Sequence, residues 1–326
     1  MSGLQYGMIS ALLRITPFIC LLVAVTTMAC QVPVFRYALE RWEPGSYLIR
    51  APQAIKVDPH ANVVVEQTAD VSQIELYYPP KLRQASKKPI WSASVSEENA
   101  RAMMDSPVRQ ELRKRLLAGQ SAVWLLIESG DAAKDDAAIK LIQEGLKSAQ
   151  EQLKLPDGVI TQNEATDPKK RHENADVLQS DLPLKIEFSS LRLSRQNAKE
   201  APLIAILMHI EQDLGDYVKE PMVFPIFGRG RALEPMIGKG IHVNNIVEAS
   251  AYLCGACSCE IKEQNPGIDL LMTADWGKVG ADDGLPETVM ITPQTKTKKG
   301  LSASWISLSA LLLGLAAWLM RKSSRS

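Results

Sequence analysis

The residues most able to do chemistry are Cys30 and the run Cys254-Gly255-Ala256-Cys257-Ser258-Cys259. Thiols this close together can pair as disulfides, cycle as a redox couple or hold a soft metal ion. A Cys-x-x-Cys at a helix end is a redox candidate, because the helix field and a second thiol can lower a thiol's pKa. Cys254, Cys257 and Cys259, joined by Cys30 or a histidine, would also suffice for zinc or cuprous copper. The second Cys-x-x-Cys or paired histidines of common zinc sites are missing, and His60, His172, His209 and His242 are scattered singly. In an oxidising compartment the even count of Cys30, Cys254, Cys257 and Cys259 favours structural disulfides, with three pairings open.

Other chemistries find no anchor. Gly228-Arg229-Gly230-Arg231 lacks the third glycine of a dinucleotide fingerprint, and Gly238-Lys239-Gly240 lacks both the hydroxyl and the upstream glycine of a phosphate loop. A hairpin turn explains both, although Arg229 and Arg231 could present a small anion site there. No Gly-x-Ser-x-Gly elbow or His-Glu-x-x-His helix is present, so no catalytic residue is assigned and the expectation leans away from an enzyme. With 37 Lys+Arg against 37 Asp+Glu, the whole-chain charge gives no reason to propose nucleic acid. Neither a nucleotide nor any other cofactor is expected.

Two apolar segments frame these residues. Ile15 to Ala29 follows Arg14 and has the length of a secretory h-region, so residues 1–29 read as a signal peptide that leaves with Cys20. Cys30 would then be the first mature residue, with lipidation as a second option. Trp305 to Met320 carries no charge and is followed by Arg321, Lys322 and Arg325, so residues 304–320 read as a C-terminal transmembrane helix. Export behind the signal places the bulk of the chain on the periplasmic side of the cytoplasmic membrane. Residues 277–303 are a flexible tether on this reading, and 321–326 a cytoplasmic tail.

Between these ends the pattern is α/β. Ala122 to Glu128 is a continuous apolar run of buried-strand type, and Ser129-Gly130-Asp131 turns it into a helix from about Lys134 to Leu153. Leu184 to Leu193 alternates as a strand, Pro202 to Ile210 reads as another, and Asp157 to Asp181 reads as an exposed excursion. Pro221 opens a strand to Phe227 that turns at Gly228 and returns before a helix from about Asn244. Upstream lie a Cys-led helix to Trp42, strands near 47–49, 63–65 and 74–78, and a Ser96-capped helix that Pro107 should restart. Gly119 is the boundary between modules 30–118 and 119–276.

That order resembles the thioredoxin-like fold, with Pro221 in the place of that family's cis-proline and residues 30–118 as a degenerate copy. The resemblance implies a thiol pair at the start of the helix after the first strand, where this chain has Ser129-Gly130-Asp131 instead. The runs CQVPVFRYALERW, VFPIFGRGRAL and CSCEIKEQNPGIDLL also resemble those of an uncharacterised family of exported, membrane-anchored bacterial proteins, which brings no activity with it. The expectation is therefore a non-catalytic binding or scaffold component at the outer face of the cytoplasmic membrane, partnered by another membrane or exported protein. Thiol-disulfide or metal handling through Cys254, Cys257 and Cys259 is the alternative.

Overall fold

The computed structural model describes residues 30–83, 87–171, 174–257 and 260–279. In chain order these form helix α1 (Val34–Arg41) and strands β1 (Tyr47–Ala51), β2 (Val63–Gln67), β3 (Ile74–Tyr77) and β4 (Trp91–Ala93). Helices α2 (Glu97–Met104) and α3 (Pro107–Leu117) follow, then β5 (Ala122–Ile127), α4 (Ala132–Gln152) and the short strands β6 (Val159–Ile160) and β7 (Asp176–Val177). The remainder runs β8 (Phe188–Leu193), α5 (Ala201–Met208), β9 (Met222–Phe227), β10 (Arg231–Ala232), β11 (Met236–Ile237), α6 (Val243–Cys254) and β12 (Ile268–Asp269).

The spine is β5. An uninterrupted apolar hexamer suits a strand covered on both faces, and all six residues are buried. Val123, Leu125 and Ile127 enter one apolar cluster, while Ala122, Trp124 and Leu126 enter the other. β5 pairs parallel with β8 and antiparallel with β9 in a sheet of order β12-β10-β9-β5-β8, with β11 on the far part of β9. One face of this sheet packs on α1, α4 and α6. The other packs on α3, α5 and a second sheet of order β2-β1-β3-β4. Gly145 lets α4 approach α6, since a Cβ there would lie 2.8 Å from the Ile246 side chain.

Several local expectations hold for stated reasons. Ser96 accepts a bond from the Asn99 N–H and caps α2, and extended Ser106 caps α3 with Pro107 in its first turn. Asp131 caps α4 by accepting from the N–H groups of Ala133 and Lys134.

Others need correction. The expectation of two thioredoxin-like modules plus a C-terminal transmembrane helix is overturned. The structure is mixed α/β with several sheets, and among the described residues no helix is long and apolar enough to cross a membrane. Residues 1–29, the tether beyond Val279, and the segments 304–320 and 321–326 lie outside the described residues. Gly119 divides nothing: Tyr47, Leu76 and Leu116 share one cluster with Leu125, Leu203 and Leu271, and residues 30–279 belong to one compact unit. Pro202 to Ile210 is not a strand but largely helix α5, with Pro202 in its first turn and Leu203, Ile206 and Leu207 buried at helical spacing. A continuous apolar run carries no period with which to tell the two apart. The excursion 157–181 is also more than surface, because its end closes over α1.

Candidate functional site

The thiols gather at one end of the central sheet. Pro33 pairs with Ala256 in an isolated antiparallel bridge. Around it the Val34 N–H donates to the Gly255 carbonyl at 3.0 Å, and the Cys257 N–H to that of Val32 at 2.9 Å. This pairing brings Cys30, half-buried, to the same apolar cluster as buried Cys254 and Cys257. Cys254 closes α6 at its C-terminal end, where the helix field disfavours a thiolate. Burial pushes its thiol up to about 12. Burial also raises Cys30, with the carboxylates of Asp176 and Glu260 adding to the shift. No disulfide joins Cys30, Cys254 and Cys257, and no metal-binding group of three or more such side chains occurs among the described residues. Cys259 and His172 lie outside those residues.

The opposite end carries Ser129-Gly130-Asp131. β9 places Met222 opposite Ile127, and β11 pairs with Met222, so α6 begins near the C-terminal end of β5 and runs back to the thiol end. At the C-terminal end of β5, the N-terminus of α4 would suit an anion or thiolate. The chain fills it with its own carboxylates. Buried Asp135 accepts from the Ser129 N–H at 2.7 Å, the Ser129 hydroxyl at 2.8 Å and the Gly130 N–H at 3.1 Å. The Asp131 side chain accepts from the N–H groups of Ala133 and Lys134. Lys134 bonds Glu220 at 2.5 Å, and Arg195 donates to the carbonyls of Glu128 and Glu220. Pro221 stands before β9 as expected, but among the described residues every peptide bond is trans, so it is not a cis-proline.

At the thiol end the three sequence runs meet. The hairpin turn at Gly228, with φ +57°, approaches α1 so closely that a Cβ would lie 2.6 Å from that of Ala38. This proximity lets Arg229 cap α1, donating to the carbonyls of Leu39 at 2.8 Å and Glu40 at 2.9 Å and pairing with Glu43. Arg231 lies 5.7 Å over the Trp42 ring and donates to Asp269 at 3.0 Å and to the carbonyls of Pro266 and Asn265. Asp269 also accepts from Lys262 at 2.8 Å and from the Gly45 N–H at 2.8 Å. The Trp42 indole donates to the Glu260 carbonyl at 3.0 Å. Arg229 and Arg231 are thus spent on the protein's own acceptors and form no anion site.

Sequence reasoning missed the charged heart of this end. Arg36 and Glu40, one helical turn apart on α1, pair at 2.8 Å with side chains only 1% and 2% exposed. Residues 179–182 seal them in. Glu40 accepts from the N–H groups of Gln179 and Ser180, and Arg36 donates to the Ser180 hydroxyl at 2.8 Å and the Leu182 carbonyl at 2.7 Å. The i,i+4 spacing was a visible signal of a pair, but not of its burial. No family model, no curated protein and no solved structure matches this chain.

Proposed function

We propose that this is an exported, non-catalytic binding or scaffold protein whose partner is another exported or membrane protein. The observation that carries the reading is the helix N-terminus at the C-terminal end of β5, which is occupied by Asp131 and Asp135 rather than by a thiol. Two carboxylates there repel an incoming anion, and their hydrogen bonds use the N–H groups that a thiolate or phosphate would need. The N-terminal apolar run supports export.

A second reading, thiol-disulfide or metal handling, rests on Cys30, Cys254 and Cys257 bordering one apolar cluster. Buried thiols at a helix C-terminus suit packing better than turnover. Purified protein should fail to reduce or oxidise a model disulfide catalytically, and Cys254 should resist alkylation until the protein is unfolded. Turnover that disappears on Cys254→Ser would replace the scaffold reading with the thiol one.

A further inference from the structure

Strand β2 is an edge of the four-stranded sheet, and its sequence, Val-Val-Val-Glu-Gln, carries neither the lysine nor the proline that blunts exposed edges. Its main-chain groups can be assigned from its neighbour. The Asn62 carbonyl accepts from the Tyr47 N–H at 2.9 Å, and the Thr68 N–H donates to the Ala51 carbonyl at 2.9 Å. In a parallel ladder the bonding residues alternate, so positions 62, 64, 66 and 68 face β1. Val63, Val65 and Gln67 therefore turn their N–H and C=O groups outward, and among the described residues no strand pairs with them. The Val63 N–H is taken by the Ala61 carbonyl at 2.8 Å. Val64, on the solvent face, is 57% exposed.

We propose that β2 pairs antiparallel with β2 of a second copy of this chain, about a two-fold axis at Val65, joining two four-stranded sheets edge to edge. The occupant follows from self-complementarity. A two-fold at Val65 sets Val65 against Val65, Val63 against Gln67 and Val64 against Glu66. The outward groups then make four bonds: each Val65 N–H to the other copy's Val65 carbonyl, and each Gln67 N–H to the other copy's Val63 carbonyl. A two-fold at Val64 would leave the Gln67 N–H groups outside these pairs and rely on the Val63 N–H already in use. Charge agrees with the register: neither Glu66 faces its own counterpart, and each is held by Arg50 of its own copy at 3.3 Å, which also pairs with Asp70.

The test is sedimentation of the full chain over a wide concentration range, with three variants that all keep the residues outside the described ones. Wild type should show a reversible dimer. Val65→Pro removes the outward N–H and no β1–β2 bond, so it should raise the dimer's dissociation constant about tenfold or more while circular dichroism stays unchanged. Val64→Glu faces Glu66 of the other copy and should weaken the dimer about threefold to tenfold, whereas Val64→Lys, facing the same carboxylate, should not. These exposed substitutions decide the question if the proline variant misfolds. A wild type that stays monomeric at every concentration overturns the proposal and leaves the edge to an extended segment of another protein. A folded Val65→Pro that dimerises like wild type, or equal effects of Glu and Lys at 64, overturns it as well.

Discussion

The two ends of the central sheet solve the same problem in opposite ways. At the C-terminal end of β5, the hydrogen-bond partners of the buried carboxylate come from one stretch of chain: Ser129 and Gly130 bond Asp135, and Asp131 caps the helix, all within seven residues. At the thiol end the partners come from Val32 to Gly45, from 179–182, from the hairpin, from Cys257 and from 260–269. A local site can form as soon as its helix does, while the distributed one exists only once the chain has folded. The second end should therefore carry more of the stability and show stronger coupling between substitutions.

That comparison can be broken most easily at Glu40. Glu40→Ala leaves the Arg36 guanidinium buried without its carboxylate and should cost about 3–5 kcal/mol in urea unfolding, whereas Arg36→Met with Glu40→Leu should cost clearly less. Asp269→Ala strips Arg231, Lys262 and the Gly45 N–H of their acceptor, and a loss of about 3 kcal/mol is expected by the same measurement. At the local end, Asp135→Ala should cost about 1–3 kcal/mol, its three donors lying closer to water. If Asp135→Ala proved the costliest of the three, the contrast between the ends would be reversed.

The smallest effect is a pH dependence that sharpens the contrast. Burial holds the Cys254 thiol at about 12 against an ordinary 9.0, so the folded state favours the neutral form. The stabilisation this gives is complete below pH 9 and is lost as pH rises toward the folded value. Thermal stability should fall by about 1 kcal/mol per pH unit above 9, or roughly 2–4 °C in Tm. Cys254→Ser should flatten that slope. Above 10.0, buried Tyr47 and Tyr78 act in the same direction, since burial raises both phenols.

Much of the framework was legible because it is written in local pattern. The hexamer at 122–127, the cap at Ser96, the helix restart at Pro107, the strand-to-helix turn at 129–131 and the glycine turn at 228 each declare their structure within a few residues. What failed had no local signature. Helix α5 is apolar on all sides of its sequence, and only its packing of Leu203, Ile206 and Leu207 into the cluster beneath the sheet selects the helix. The boundary at Gly119 was a true helix stop, yet the residues on its two sides share a core that no stop signal can report.

The amino-acid sequence by itself determined the buried strand at 122–127, the starts of helices α2, α3 and α4, and that no dithiol follows β5. Tertiary structure decided that the helix after Pro33 is the buried centre of one end, and that Arg229 and Arg231 serve the chain rather than a ligand. It also sealed Arg36 and Glu40 beneath residues far along the chain. The physical reason is one of range. Backbone preference and capping act over a few residues, whereas burial of charge depends on what the rest of the chain lays over it.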